Sequence, residues 1–113
     1  MEPKFMSLAL KEAEKAYGKL EIPVGAVIVK KGKIIARAHN LKETKQSAIS
    51  HAEILAIQKA NKKLNNWRLI DCDMYVTLEP CQMCMGAFIT SRIKKIYIGT
   101  LHTKKEKQNH IYK

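Results

Sequence analysis

Two short groups of metal-binding and acidic side chains constrain this chain more than any other feature of its sequence. One group is His51-Ala52-Glu53, and the other, further along the chain, is Pro80-Cys81-x-x-Cys84. Cysteines at positions i and i+3 of a helix N-terminus project from one face and can bind one tetrahedral ion. The same spacing is typical of a redox-active thiol pair. Cys81 and Cys84 alone therefore leave a metal site and a redox site open.

The histidine group favours the metal site. His51 opens a predicted helix and can supply a third ligand, and Glu53 would then lie over the open position of the metal. Three protein ligands are typical of catalytic zinc, whereas structural zinc usually takes four. No fourth ligand is evident, because Cys72 precedes a predicted strand and the other histidines are scattered. We therefore expect one Zn²⁺ per chain, held by His51, Cys81 and Cys84, with Glu53 moving protons.

The hydrophobic pattern predicts an α/β fold. Helical spacing of apolar residues predicts helices at residues 3–17, 51–64 and 81–91. Apolar and β-branched runs predict strands at residues 24–30, 33–38, 74–78 and 95–99. Ser50 is the expected cap of the second helix, Pro80 is expected in the first turn of the third, and residues 40–50 form a loop. This order predicts a three-layer α/β/α arrangement, a mixed central sheet of about four to five strands flanked by helices.

The charge of the chain indicates the kind of partner. Its 113 residues include 21 lysines and arginines against 10 acidic residues, a formal net charge of +11. Such an excess attracts polyanions, although a lysine-rich solvated surface is the alternative. No apolar run approaches the ~20 residues of a membrane-spanning helix, and no signal peptide is evident. We therefore expect single-stranded nucleic acid as partner, no membrane association, and a cytoplasmic protein whose three cysteines are reduced.

Longer stretches of the sequence resemble bacterial tRNA-specific adenosine deaminases, within the cytidine deaminase-like superfamily. The resemblance rests on the HAE and PCxxC motifs, which together are typical of zinc nucleobase deaminases. It also rests on Glu21-Ile-Pro-Val-Gly-Ala-Val27, Ala38-His-Asn40, Asn66-Trp-Arg-Leu69 and Tyr75-Val-Thr-Leu-Glu-Pro-Cys-Gln-Met-Cys84. It implies a single zinc-dependent deaminase domain over residues 1–113. Such a domain would convert adenosine to inosine in single-stranded or looped nucleic acid, above all at the tRNA anticodon wobble position.

The resemblance also implies residues that contact the substrate. Asn40 corresponds to a residue that hydrogen-bonds the extruded base, although an asparagine in a left-handed loop turn is the alternative. Val24 and Ala26 correspond to the pocket floor, although packing of a buried strand explains them equally well. Backbone groups of Ala52 and Glu79 would complete the contacts to the base.

An interface between two copies is implied as well. Trp67 and residues 85–92 resemble the surface through which the family forms homodimers, with packing in the core as the alternative.

The sequence departs from the family after residue 99. His102 stands where the family has an acidic residue near the nucleic-acid backbone, and Lys104 and Lys105 are candidate nucleic-acid contacts. Residues 100–113 form a tail of uncertain structure, and the family's final helix has no counterpart. A deaminase of single-stranded DNA or of a free base or nucleoside, of guanine or cytosine type, is therefore an alternative. A non-catalytic partner of an active deaminase is a second alternative, against which the intact Glu53 counts.

Overall fold

The structure, a computed structural model, describes residues 2–100. Its helices are α1 (Pro3–Gly18), α2 (Lys42–Lys45), α3 (Ala52–Leu64) and α4 (Gln82–Ser91). Its strands are β1 (Gly25–Lys30), β2 (Lys33–His39), β3 (Cys72–Leu78) and β4 (Lys95–Thr100). Every predicted helix and strand is present. The short helix α2 lies in the region that the sequence predicts as a loop.

The strands form one mixed sheet in the order β2-β1-β3-β4. Strand β1 runs antiparallel to both β2 and β3, whereas β3 and β4 are parallel. The β1–β2 turn has positive φ at both central residues, 51° at Lys31 and 78° at Gly32. This backbone matches the twist of the flanking strands and closes the predicted hairpin.

Helices cover both faces of the sheet because successive side chains of a strand point to opposite faces. Ala26 and Ile28 of β1 belong to a core cluster that includes buried residues of α3 and α4. Val27 and Val29 belong to a second cluster, built with α1 on the other face. The three-layer α/β/α arrangement is thereby confirmed, with four strands among the described residues.

Helix α1 approaches β1 most closely at Gly25. A Cβ atom at this position would overlap the carbonyl oxygen of Ala9 and lie 2.6 Å from the amide nitrogen of Ala13. The Gly25 amide also donates a hydrogen bond to the Thr77 hydroxyl oxygen, at 3.1 Å. Close packing of a helix on the sheet explains this glycine.

Two predicted helix starts are wrong in detail. The residue that caps α3 is His51 rather than Ser50, and Cys81 caps α4, so that Pro80 precedes the helix instead of lying in its first turn. Neither His51 nor Cys81 makes a side-chain cap hydrogen bond. The physical reason is that their side chains contact each other, with the His51 Nδ1 atom 3.8 Å from the Cys81 Sγ atom, and so do not turn back onto their own helices.

Helix α2 is the third difference from the sequence prediction. Its backbone N–H groups at Glu43 and Thr44 donate to the Glu21 carboxylate, 3.1 and 2.6 Å away. The acceptor that stabilises this turn lies far away in the sequence, so the local pattern of residues 40–50 does not reveal it.

Candidate active site

Three side chains converge where α3 and α4 begin. The His51 Nδ1 atom lies 3.8 Å from the Cys81 Sγ atom and 3.7 Å from the Cys84 Sγ atom. All three potential ligand atoms lie within 4.8 Å of one another. Zinc bonds of ~2.3 Å to sulfur and ~2.0 Å to nitrogen, at a tetrahedral angle, separate the two ligand atoms by about 3.5 Å. The predicted ligands are therefore brought together at distances that fit one zinc ion.

The electrostatic surroundings of these ligands also suit a cation. Burial and the positive charge of Lys42 lower the pKa of His51, which favours the neutral imidazole that ligates a metal. Burial and the nearby Glu53 carboxyl raise the pKa of the Cys84 thiol well above its usual range. A divalent cation would offset the free-energy cost of ionising this buried thiol, because metal ligation stabilises the thiolate form.

Glu53 lies in the first turn of α3, close to the ligands. Only 4% of its surface is exposed, and this burial raises the pKa of its carboxyl group. The carboxyl faces the same cavity as His51 and Cys81. A buried carboxyl with a raised pKa, next to a cation site, has the properties of a group that exchanges protons.

The cavity beside the three ligands has a volume of about 160 Å³. The loop before β1, the end of β2, α2, the start of α3 and the end of β3 all contribute to its wall. The lining residues are Ile22, Val24, Asn40, Lys42, His51, Glu53, Leu78, Glu79 and Cys81. The cavity lies at one edge of the sheet, where strand ends and helix starts meet.

Of the predicted substrate contacts, Val24, Asn40 and Glu79 line this cavity. Ala26 and Ala52 do not, because both are fully buried in the core between the sheet and α3. The Ala26 side chain packs in this core, and its role as pocket floor stays a prediction. The Glu79 amide donates to the Thr100 carbonyl at 2.9 Å, which occupies that N–H group.

Asn40 is 5% exposed and follows directly on β2. Its backbone amide donates to the Val24 carbonyl at 3.1 Å. It is absent from the residues of positive φ, so the alternative of a left-handed turn does not apply. Its side chain reaches the cavity from the position directly after β2.

Three cavity residues, Ile22, Lys42 and Leu78, are not predicted by any sequence motif. Ile22 and Leu78 look like ordinary core residues in a sequence, and only the fold brings them to the cavity wall. Lys42 is one of many lysines, and it comes to the cavity because Glu21 anchors α2. No local signal identifies it.

The other predicted residues either lie away from the cavity or fall outside residues 2–100. Trp67 is 50% exposed, with the guanidinium groups of Arg68 and Arg92 4.4 and 5.6 Å from its ring centroid. His102, Lys104 and Lys105, and the tail from residue 101, lie outside the described residues. Within residues 2–100, no helix combines the length and the apolar character that crossing a membrane requires.

Comparisons with known proteins agree with this site. A tRNA-specific adenosine deaminase of Bacillus subtilis is 54% identical over 100 residues, which are 88% of this chain and 62% of the relative. A tRNA-specific adenosine deaminase of Aquifex aeolicus is 49% identical, over 88% of this chain and 66% of the relative. The chain thus spans about six tenths of the length of the curated relatives that it matches.

Solved structures share the fold. One, from a study of A-to-I editing by tRNA:A34 deaminases at the wobble position of transfer RNA, has a TM-score of 0.88 and 43% identity. The match covers 91% of this chain and 75% of the chain in that structure. A guanine deaminase of Bacillus subtilis also has a TM-score of 0.88, with 37% identity, over 96% of this chain and 69% of that one.

The family model of the cytidine and deoxycytidylate deaminase zinc-binding region matches residues 1–100. This range contains the three converging ligands, the buried Glu53 and the cavity beside them. The chain therefore belongs to the cytidine and deoxycytidylate deaminase zinc-binding family.

Proposed function

We propose that this chain catalyses the zinc-dependent hydrolytic deamination of adenosine to inosine in single-stranded or looped nucleic acid, with the tRNA wobble adenosine as its target. The observation that carries the proposal is the buried Glu53 carboxyl, which faces one small cavity together with His51 and Cys81. The tRNA-specific adenosine deaminases at about half identity support the choice of substrate.

The reaction consumes water and releases ammonia. The chemistry that zinc supplies at a three-ligand site is the acidification of a bound water, which makes a nucleophile available near neutral pH. Glu53 would accept one proton from the attacking water and pass it to the ring nitrogen next to the attacked carbon. It would then take the second proton, from the hydroxyl group formed on that carbon, and give it to the departing amine, so that ammonia leaves as the carbonyl group of inosine forms. Burial suits Glu53 to this work, because a raised pKa brings a carboxyl closer to the working pH.

The other lining residues hold the base. The Asn40 amide offers both a donor and an acceptor to the polar edge of a purine. The side chains of Val24 and Leu78 supply apolar contact to the ring. Because the cavity is small, a base must leave its stack to enter it, as in other enzymes that act on a nucleobase.

The test is a substrate panel for the purified zinc-loaded protein. We expect inosine and ammonia from an adenosine in an anticodon stem-loop, and slower or no release from single-stranded DNA, adenosine, guanine and cytidine. Brisk release from guanine with none from the stem-loop would place the chain with the guanine deaminase that shares its fold. Absence of turnover on every substrate would favour the non-catalytic alternative.

We also propose that the chain forms a homodimer and works in the cytoplasm. Ile89 of α4 is 72% exposed, and Trp67 is joined to the end of this helix by the contact with Arg92. An exposed apolar surface of this kind fits a second copy of the chain. The free cysteines among the described residues fit a reducing compartment. Sedimentation measures the oligomeric state of wild type and Ile89→Glu. We expect wild type to be a dimer and Ile89→Glu to be a monomer, because the new charge would lie in the interface.

A further inference from the structure

Among residues 2–100, Lys42 is the single lysine or arginine that lines the active-site cavity. It is partly buried, so its ammonium group is held near the cavity rather than free in solvent. The ion pairs found among residues 2–100 all involve Glu12, so no carboxylate in that range lies within ion-pair distance of Lys42. A lysine without an acidic partner, placed beside a binding cavity, is a ready site for an anionic group of the ligand.

The position of Lys42 depends on Glu21. Helix α2 has four residues, too few to be stable alone. Glu21 is 5% exposed and accepts two backbone hydrogen bonds, from the N–H groups of Glu43 and Thr44. It accepts a third from the Thr44 hydroxyl group, at 2.7 Å. Burial acts to raise the pKa of Glu21, but these hydrogen bonds outweigh it and lower the pKa. An ionised carboxylate thus anchors the helix that carries Lys42.

The size of the cavity restricts which part of a ligand can enter. Its volume of about 160 Å³ is well below the ~300–1,000 Å³ of pockets that enclose drug-sized ligands. A base ring fits such a space, whereas a whole nucleotide does not. The sugar and any phosphate must therefore lie outside, where the partly exposed Lys42 can contact them.

We propose that Lys42 binds a phosphate attached to the nucleoside whose base enters the cavity, and that Glu21 is the positioning residue that holds Lys42 there. The inference rests on the proposed deaminase function and deepens it, since it selects phosphate-bearing substrates over free bases and nucleosides. The phosphate can belong to a nucleic-acid chain or to a nucleoside monophosphate, and the two sources are distinguished by experiment.

The first experiment compares Lys42→Gln with Lys45→Gln. The two variants lose the same charge from the same helix, but Lys45 is exposed and does not line the active-site cavity. For an adenosine-containing hairpin, we expect Lys42→Gln to raise KM about tenfold relative to Lys45→Gln, as loss of a charge-assisted hydrogen bond would. Lys42→Arg should retain the wild-type KM. The rise in KM should be at least several-fold smaller for adenosine, which carries no phosphate. A rise for AMP as large as that for the hairpin would identify a monophosphate as sufficient.

A binding measurement gives the answer independently of turnover. Binding of a fluorescent hairpin to Glu53→Ala protein is titrated with salt, with and without each lysine substitution. We expect Lys42→Gln to reduce the log–log slope by about 0.7, the value for one phosphate contact on a single strand. An equal reduction by Lys45→Gln, or none by Lys42→Gln, would overturn the proposal.

The role of Glu21 is tested by a double-mutant cycle. Glu21→Gln should raise KM for the hairpin when Lys42 is present and have no further effect in Lys42→Gln. Thr44→Val, which removes one exposed donor, should act in the same direction with a smaller effect and covers the case that Glu21→Gln does not fold. Additive effects would show that Glu21 does not act through Lys42.

If wild type turns over no adenosine substrate, the proposed function fails. If it does, and Lys42→Gln affects hairpin and adenosine equally, only this inference fails.

Discussion

His51 and Cys81 occupy the same kind of place in the chain, each as the extended residue just before a helix. Such positions usually carry a side chain that caps the helix through a hydrogen bond. Here the two side chains lie 3.8 Å apart, His51 Nδ1 to Cys81 Sγ, and the caps lack side-chain hydrogen bonds. A bound cation would link the starts of α3 and α4. It would thereby compensate for the absence of stabilising cap hydrogen bonds at both helices.

This geometry predicts the effect of removing a ligand. Cys81→Ser and Cys84→Ser should lose the zinc that co-purifies at one ion per chain, because the two remaining ligands bind zinc weakly. Elemental analysis of the purified protein measures the loss. Cys72→Ala is the matched control: Cys72 is buried, starts β3 and lies outside the cluster, so its zinc content should stay at one. Zinc retained in the Cys81→Ser/Cys84→Ser double variant would contradict the assignment.

A second residue-scale prediction concerns Gly25. Gly25→Ala should lower the free energy of unfolding by roughly 1–3 kcal/mol or more, because the new methyl group meets backbone atoms of α1 that cannot rotate away. Urea denaturation measures this change. Gly86→Ala is the control, since a Cβ there meets nothing within 4 Å, and should stabilise α4 by roughly 0.5–1 kcal/mol. Equal stability of wild type and Gly25→Ala would show that α1 does not pack as described.

At the scale of the elements, what the sequence predicts depends on how far apart the determining residues lie. Helix α1 and the β1–β2 hairpin follow from local spacing and from the Lys31-Gly32 turn, and both were predicted. Helix α2 depends on Glu21, a distant side chain, and was missed. The same holds in the site: two motifs identify the metal ligands, whereas Lys42 comes to the cavity only through tertiary contacts.

A buried carboxylate also joins α1 to β2 without any sequence signal. Glu12 is 3% exposed and lies 2.8 Å from the His39 Nδ1 atom and 2.9 Å from the Arg37 Nε atom. Burial acts to raise the pKa of Glu12, but hydrogen bonds from His39, Lys15 and Arg37 outweigh it and lower the pKa from 4.5 to about 2. This cluster fixes the end of β2, and Asn40 follows it directly.

The lowered pKa predicts how stability depends on pH. Since the folded protein holds the proton less tightly than the unfolded chain, the stabilisation by Glu12 is complete above about pH 4.5 and is lost as the pH falls toward 2. Glu12→Gln should reduce the free energy of unfolding at pH 7 by roughly 2 kcal/mol, since solvent around Lys15 and Arg37 screens part of the pairing. The difference from wild type should shrink in acid.

Urea denaturation between pH 2 and 7 measures this difference. Glu14→Gln is the control on the same helix, because Glu14 is exposed and should change stability little. If the difference in the free energy of unfolding between wild type and Glu12→Gln stayed constant across this pH range, the partners of Glu12 would not be lowering its pKa.

At the scale of the whole molecule, charge and site point to the same kind of substrate. Binding of one uncharged base gains little from a formal net charge of +11, whereas binding of a polyanion gains from it. The residues that the sequence analysis assigns to nucleic-acid contact, His102, Lys104 and Lys105, follow β4, whose last residue is Thr100. Their role stays a prediction.

A salt titration tests that prediction. Binding of an RNA loop should weaken steeply with salt, and replacing Lys104 and Lys105 by Ala should flatten the log–log slope by about one or more while zinc content stays unchanged. His102→Asp should shift preference toward RNA over matched DNA, if a carboxylate there contacts the 2′-hydroxyl group. Binding that does not depend on salt would remove nucleic acid as the partner.

The central claim is that Glu53 moves protons in a zinc-dependent deamination and does not hold the metal. The most direct measurement compares zinc content and inosine formation from an adenosine-containing stem-loop in wild type and Glu53→Ala. We expect both proteins to carry one zinc and fold alike, with turnover reduced by at least ~10²–10⁴ in the variant. Inosine formation within a few-fold of wild type, at equal zinc content, would contradict the account.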